Sequence, residues 1–210
     1  MIYKAIMFTL MFFISIFQGG NNVEHNYTVE TENYRELCPS FYEEIEINLE
    51  PEIECAEEID KEYYTKLVNS ITNQLPKEWI EQFKKDDWRI VITDEDLNKK
   101  YFQDRYFCVY GATVYMENTI YLTPYPNMIK SSLIHEFGHY LDYSWGELSR
   151  NELKPMLTKS IEDYNNNFSF KVENESELYA ESLQSYYKRK KSLQNTCPEL
   201  YNYWDNLCNQ

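Results

Sequence analysis

Basic residues are scarce in this sequence. Lys and Arg together number 20 against 35 Asp and Glu, which leaves a formal net charge of −15 over 210 residues. Proteins that bind nucleic acid contact its phosphates with clustered lysine and arginine, so this balance argues against a nucleic-acid partner. It is compatible with a basic peptide as partner, or simply with a solvated acidic surface. The length suits one domain of ordinary size.

Cysteine is also sparse. None of the five cysteines forms a Cys-x-x-Cys pair, which argues against a cysteine zinc site. Cys38 and Cys55 flank an acidic stretch and can close a small disulfide loop; the alternative is that all five cysteines are reduced. We predict that Cys197 and Cys208 do not pair, because a helix between them would separate them by about 16 Å, beyond the roughly 7 Å limit for bridged Cα atoms.

An apolar run long enough to span a membrane is missing, since a span needs about 20 residues. Residues 1–20 have Lys4 near the start, an apolar run over 5–17 and two glycines at the end. This pattern predicts a secretory signal peptide, and therefore a secreted, extracellular protein with no stable membrane insertion once the signal is removed. An uncleaved membrane anchor is the alternative.

The remaining chain divides by composition. Residues 21–58 are strongly acidic with little periodicity, so we predict an acidic N-terminal segment, a spacer or propeptide, with one short strand between Phe41 and Leu49. From residue 59 onward the apolar residues follow helical or strand periods, which predicts one α+β domain over 59–210, with helices packed on a small sheet. Gly111 interrupts one predicted strand, which indicates a bulge or a close backbone approach. The predicted helices cover 59–75, 77–84, the segment around 127–143, 149–164, 174–190 and 198–207, and the predicted strands cover 88–93, 107–115 and 119–122. The sequence also predicts a hairpin turn at 116–118, a loop at 165–167, and an end at Pro124 and Pro126 to the segment before 127. Ser149 is the predicted cap of its helix, which Pro155 can kink.

Histidine is the rarest possible metal ligand here, yet two of the three histidines stand four residues apart in His135-Glu136-Phe137-Gly138-His139. On a helix, residues four apart lie on one face, about 6 Å apart along the axis, so both imidazoles can bind one Zn²⁺. Glu136 can then act as general base toward a water that the metal activates. The H-E-x-x-H pattern on an apolar-periodic helix, capped by Asn127, therefore predicts a zinc hydrolase.

The third zinc ligand must come from elsewhere, because no histidine follows His139. A carboxylate downstream is the ordinary alternative. Glu177 and Glu181 lie four apart on one face of the helix predicted after Asn174, so one can bind the metal while the other accepts the free N–H of a ligating histidine. The residues alone do not decide which carboxylate takes which role.

These two motifs together resemble a known family. The segments 134–142 and 174–181 are similar to the catalytic domain of anthrax lethal factor and to the secreted Pro-Pro endopeptidases. The resemblance covers about residues 60–208 and implies a zincin-like metallopeptidase domain over 59–210. It also implies that Glu177 is the third zinc ligand and that Glu181 supports the site without binding the metal itself.

One position departs from the family. The tyrosine that the family places seven residues before its third ligand, where it stabilises the oxyanion, is Phe170 here. Losing such a donor raises the barrier by about 2.7–4 kcal/mol. Tyr164 or another tyrosine can be the substitute, but the sequence does not assign one.

The sequence therefore predicts a secreted zinc metalloendopeptidase, a monomer that acts on a peptide or protein substrate. His135, His139 and Glu177 would bind Zn²⁺, and Glu136 would be the catalytic base. Asp142, one turn beyond the second histidine, would brace the helix or its histidine, or form a surface ion pair. A strand beside this helix can pair with an extended peptide, or lie buried without substrate contact. The alternative functions are a weakened or inactive zinc-binding homologue that acts as a peptide-binding module, and a toxin-like effector.

Overall fold

The computed structural model describes residues 50–106 and 108–209. This part of the chain contains seven α-helices and four β-strands, which confirms the predicted α+β class with a small sheet. In chain order the elements are β1 (Glu52–Cys55), α1 (Lys61–Thr72), α2 (Lys77–Lys85), β2 (Arg89–Ile92), α3 (Leu97–Phe102), β3 (Gly111–Val114), β4 (Thr119–Leu122), α4 (Pro126–Ser144), α5 (Lys154–Asn167), α6 (Glu175–Thr196) and α7 (Pro198–Cys208).

The four strands form one sheet in the order β1-β2-β4-β3. Strands β1, β2 and β4 run parallel, with Ile53, Ile90 and Ile120 side by side. Strand β3 is antiparallel to β4. The predicted turn between β3 and β4 is a 3-10 turn at Tyr115–Glu117, followed by Asn118 with a φ of 46°, a left-handed conformation that asparagine tolerates. The edge strand next to α4 is therefore β3.

Strand β1 lies among the residues that the sequence assigns to the acidic segment. It pairs with β2 along its whole length, and its Ile53 is buried in the core. Four residues with one buried side chain carry too short an alternation to predict a strand from the sequence. The strand predicted between Phe41 and Leu49 lies outside the described residues, as does the signal peptide predicted for 1–20.

The cysteines of the described residues are unpaired. Cys197 is buried and Cys208 is half-buried, and both are free thiols, which confirms that they do not pair. Cys55 and Cys108 are free as well. The disulfide partner predicted for Cys55 is Cys38, which lies outside the described part of the chain.

The core between the sheet and α4 is aromatic. The ring of Phe83 lies 5.3 Å from that of Phe137 and 4.8 Å from that of Tyr140, measured between centroids. All three side chains are fully buried. On a helix, Phe137 is rotated by about 200° from His135. Burial of this aromatic face therefore turns the opposite face of α4, with both histidines, away from the core.

The predicted cap of α4 is wrong. Asn127 is not the N-cap, because the helix begins at Pro126 and Tyr125 occupies the cap position without a side-chain hydrogen bond. Proline is favourable in the first helical turn, where its missing N–H would have no partner anyway. The sequence predicts that Pro126 ends the preceding segment, whereas in the structure it begins the helix.

The predicted start of α5 is wrong for a similar reason. Ser149 does not cap it; the helix begins at Lys154, and Pro155 lies in its first turn instead of kinking its middle. The loop predicted at 165–167 belongs to the helix, which ends at Asn167. Here the low helix propensity of three asparagines is overridden by tertiary packing.

Helix α6 begins as predicted. The side chain of Asn174 accepts a hydrogen bond from the backbone N–H of Glu177, and Pro198 begins α7 as predicted. However, α6 continues to Thr196, well past its predicted end, and its backbone is interrupted at Arg189, where φ is −139° and ψ is 40°. Among the described helices, none combines the length and the apolar character that a membrane crossing requires.

Candidate metal centre

Three buried or partly buried side chains from two helices lie close together. His135 and His139 on α4 direct their Nε2 atoms toward each other at 3.2 Å. The Glu177 carboxylate on α6 lies opposite, with Oε2 at 3.5 Å from His135 Nε2 and Oε1 at 3.6 Å from His139 Nε2. One ligand atom from each residue lies within 4.8 Å of the other two, so this cluster could hold a metal ion.

The separations suit a tetrahedral ion. Zinc–ligand distances of about 2.0–2.1 Å at tetrahedral angles place the ligand atoms about 3.3–3.4 Å apart. The distances of 3.2, 3.5 and 3.6 Å bracket this value. Two histidines and one carboxylate are also a donor set of catalytic zinc sites, which leave a fourth position open. The residues present therefore fit such an ion.

A close contact between α4 and α6 brings the three candidate ligands together. Gly138 lies so near α6 that a Cβ added to it would be 2.7 Å from the Cα of Ala180. The histidines flank Gly138 along α4, and the two glutamates at 177 and 181 flank Ala180 along α6. The missing side chain of Gly138 therefore sets the distance between the two ligand-bearing helices.

Glu136 is buried beside the cluster and is held by the edge strand β3. Its Oε2 accepts a hydrogen bond of 2.8 Å from the hydroxyl of Thr113, which also donates to the Glu136 carbonyl at 2.9 Å. A Cβ added at Gly111 would lie 2.8 Å from Cγ and Oε1 of Glu136. The close neighbour of Gly111 is therefore the side chain of Glu136 and not the bulge or the second backbone segment that the sequence predicts.

Glu181 lies behind His135. Its Oε2 is 3.2 Å from His135 Nδ1, and its side chain is only 3% exposed. A carboxylate at this distance favours the tautomer with the proton on Nδ1, which leaves the Nε2 lone pair directed into the cluster. The Nδ1 atom of His139 is buried and has no hydrogen-bond partner within the described residues. Glu181 therefore orients one of the two imidazoles.

Asp142 does not form a surface ion pair. It is 4% exposed, and it accepts hydrogen bonds from the backbone N–H of Ser149 at 2.7 Å and from the Ser149 hydroxyl at 2.5 Å. The hydroxyl of Ser176, in the first turn of α6, lies at 3.4 Å from the same carboxylate. Asp142 thus links the end of α4 to the loop before α5 and to α6, and it explains why Ser149 is not a helix cap.

The electrostatics of the cluster favour a cation at its centre. Burial alone would lower the pKa of His135, but its interactions with Glu177 and Glu181 outweigh burial and raise that pKa to about 10. Burial lowers the pKa of His139 to about 4, and the charge of His135 acts in the same direction. Burial would raise the pKa of Glu177, but both histidines lower it to about 2. The two glutamates thus favour positive charge next to His135, and the burial of His139 disfavours it there.

The pKa of Glu136 moves in the opposite direction. Burial raises it, although the charge of His135 and the Thr113 hydroxyl both lower it in part. A carboxylate whose pKa lies above its ordinary value is a better proton acceptor near neutral pH. Burial thus makes the Glu136 carboxylate more basic than an exposed one.

The sequence does not decide whether Tyr164 supplies the hydroxyl that Phe170 lacks, and the structure shows that the two side chains lie in different environments. Phe170 is half exposed, and its ring centroid lies 6.5 Å from that of His135. Tyr164 is fully buried, and its hydroxyl donates to Glu181 Oε1 at 3.1 Å. Because Tyr164 is engaged behind the cluster, it does not replace the hydroxyl that Phe170 lacks on the open side.

Sequence reasoning missed several of these contributors. From the sequence, Thr113 has no role beyond its predicted strand, Ser149 is only a predicted helix cap, and Arg189 lies near the predicted end of α6. Only the interrupted strand at Gly111 gave a signal, because a glycine within a strand indicates a close neighbour. Thr113 lies 23 residues from Glu136 in the chain. Ser149 is only seven residues from Asp142 and Arg189 only eight from Glu181, but a loop and the interruption of α6 determine whether these pairs meet.

Comparison with known proteins gives a fold and no family. No family model matches the sequence, and no curated protein matches it. Among solved structures, the fold is similar to that of the PRO-PRO endopeptidase PPEP-2 from Paenibacillus alvei, with a TM-score of 0.55 and 13% sequence identity. The match covers 74% of this chain and 96% of that chain. The described part of the chain therefore combines a fold similar to that of a peptidase with a His-His-Glu cluster that could hold a metal ion.

Proposed function

We propose that this protein is a zinc-dependent endopeptidase. The observation that carries the proposal is the convergence of His135 Nε2, His139 Nε2 and a Glu177 oxygen within 4.8 Å of one another, beside the buried carboxylate of Glu136. The likeness of the fold to a peptidase structure supports the same reaction class.

His135, His139 and Glu177 would hold the ion. A bound zinc ion polarises a carbonyl group and makes a water molecule acidic at neutral pH. Glu181 would keep the His135 ring in the orientation that this binding needs, because it accepts the Nδ1 proton.

Glu136 would perform the proton transfers. Its carboxylate, oriented by Thr113, takes a proton from the attacking water and then gives it to the nitrogen of the leaving amine. The water oxygen forms a bond to the peptide carbonyl carbon as the C–N bond breaks. The raised pKa of Glu136 suits a group that must both accept and return this proton.

The substrate would be an extended peptide. Strand β3 is at the edge of the sheet and contacts α4 through Thr113 and Glu136. An exposed sheet edge binds an extended chain by main-chain hydrogen bonds. A peptide added to β3 would pass close to Glu136 and the metal ligands.

The setting of the enzyme is also part of the proposal. The apolar stretch within residues 1–20 supports export, and the net charge of −15 supports a protein or peptide partner in place of nucleic acid. We expect the mature protein to act as a monomer.

The decisive experiment is cleavage of a diverse peptide library by the purified protein, read by mass spectrometry with and without a chelator. Cuts should disappear with the chelator and return with added zinc. Glu136→Gln should bind zinc as the wild type does and cleave nothing. Glu62→Gln, an exposed acid on α1, is the matched control and should cleave normally. Cleavage that survives in Glu136→Gln would exclude the mechanism.

A second candidate function is a zinc-binding module that grips a peptide without cutting it. Phe170 favours it, because this exposed ring beside His135 has no hydroxyl to donate to an oxyanion. In that case the Glu136→Gln protein and the wild type would bind the same peptides with the same affinity, and neither would release fragments. Fragments from the wild type alone would exclude this alternative.

A further inference from the structure

The carboxylate of Glu181 is surrounded by donors from several parts of the chain. Its Oε2 faces His135 Nδ1 and accepts a hydrogen bond from the amide of Gln184 at 2.8 Å. Its Oε1 accepts hydrogen bonds from Tyr164 at 3.1 Å and from Arg189 at 2.9 Å. A carboxylate with both oxygens occupied is fixed in rotation. Of its four neighbours, Arg189 is the one with a permanent positive charge.

Arg189 reaches Glu181 from an interrupted part of α6. Eight residues of an unbroken helix cover about 12 Å along the axis, a long distance for a direct ion pair. The backbone leaves helical geometry at Arg189, with φ at −139° and ψ at 40°. The Arg189 side chain is about a third exposed, whereas the Glu181 side chain is buried.

Aromatic packing holds the guanidinium in place. It lies over the ring of Phe168, 4.7 Å from the centroid, a favourable position for a cation. That ring stacks on Tyr164 at 4.1 Å with an interplanar angle of 8°. The Ser185 hydroxyl accepts from Arg189 at 3.1 Å and lies 2.7 Å from the Tyr164 hydroxyl. The side chains of Arg189, Phe168, Tyr164 and Ser185 therefore form one packed and hydrogen-bonded group next to Glu181 Oε1.

We propose that Arg189 is a positioning residue for the metal centre: it fixes the Glu181 carboxylate, which in turn orients His135. Arg189 lies behind Glu181 and would never contact metal or substrate. This inference rests on the proposed function only in that His135 must be a metal ligand. It predicts that the affinity for zinc depends on a side chain that is not itself a ligand.

The competing explanation is that Arg189 only stabilises the α5–α6 packing. The two explanations differ in how Arg189 couples to Glu181. If Arg189 acts through Glu181, its substitution has no further effect on metal binding once Glu181 has been replaced. If it acts by general stabilisation, the two substitutions contribute independently.

The test measures zinc affinity by competition with a chelating dye for the wild type, Arg189→Met, Glu181→Gln and the double variant. Arg189→Met should bind zinc about 10- to 100-fold more weakly, the effect expected when a group that orients a ligand is lost. The double variant should bind as Glu181→Gln does. Arg189→Lys should recover part of the affinity, because it keeps the charge without the planar fork.

Lys191→Met is the matched control, since it removes one positive charge from an exposed site two residues further along α6. Its zinc affinity should equal that of the wild type. The visible spectrum of the Co²⁺-loaded protein should change in Arg189→Met and stay unchanged in Lys191→Met. If Arg189→Met does not fold, the double variant, which leaves no unpaired buried carboxylate, is compared with Glu181→Gln in its place.

Equal affinities of Arg189→Met and the wild type would overturn the inference, as would additive losses in the double variant. Failure of the premise shared with the proposed function, that His135 is a metal ligand, gives a different result, because the wild type itself would then bind no zinc. Failure of cleavage alone would leave the four zinc affinities and their comparison unchanged.

Discussion

Replacement of Gly138 by alanine tests how the metal centre is assembled. The added Cβ would lie 2.7 Å from the Cα, 3.2 Å from the Cβ and 3.3 Å from the carbonyl oxygen of Ala180. Carbon atoms in ordinary contact are about 3.5–4.0 Å apart. The obstacle is the backbone of α6, so the two helices must separate by about 1 Å.

The expected loss of stability is small and the expected loss of metal binding is large. Overpacking typically costs about 1–3 kcal/mol, and alanine recovers about 1 kcal/mol of helix propensity. A separation of about 1 Å is far beyond the ±0.2 Å that ligand distances tolerate. It would remove the Glu177 carboxylate from an ion held by His135 and His139. Loss of a group that only orients a ligand lowers metal affinity by up to about 100-fold. Because Gly138→Ala would displace a ligand itself, we expect zinc affinity to fall by at least that factor.

The assay compares thermal unfolding without metal and zinc affinity by chelator competition. Gly111→Ala is the matched comparison, because its added Cβ meets only the side chain of Glu136. That variant should keep its zinc affinity and lose cleavage. A folded Gly138→Ala protein that binds zinc as tightly as the wild type would refute the argument that this contact sets the distance between the ligand-bearing helices.

Three further predictions concern the chemistry of the site. Thr113→Val removes the hydrogen bond that helps to lower the pKa of Glu136. The acid limb of the kcat–pH profile should therefore move to higher pH, while zinc affinity stays constant. An acid limb at the wild-type pH would contradict the role of Thr113. Phe170→Tyr should raise kcat by about 100-fold, the value of one oxyanion donor, and an unchanged kcat would show that another group supplies it. Because the pKa of metal-free His135 is about 10, zinc binding at pH 7 should release about one proton. Calorimetry in buffers of different ionisation enthalpy measures the number of protons released. If no proton is released, His135 is already neutral before zinc binds.

The sequence alone determined those parts of the site that depend on local periodicity. The spacing of His135 and His139 places both imidazoles on one face of any helix that includes them. Asn174, three residues before Glu177, marks the start of the second ligand-bearing helix because a helix leaves its first N–H groups without backbone partners.

The tertiary structure decided what depends on distances between remote segments. Glu177 and Glu181 share one helical face, so no local rule separates their roles. The contact of Gly138 with Ala180 places Glu177 opposite both Nε2 atoms and Glu181 behind His135. Such a distance results from side-chain packing between helices that lie about 40 residues apart in the sequence, whereas a helical period repeats every 3.6 residues. For the same reason, the interruption of α6 that brings Arg189 to Glu181 had no counterpart in the apolar pattern.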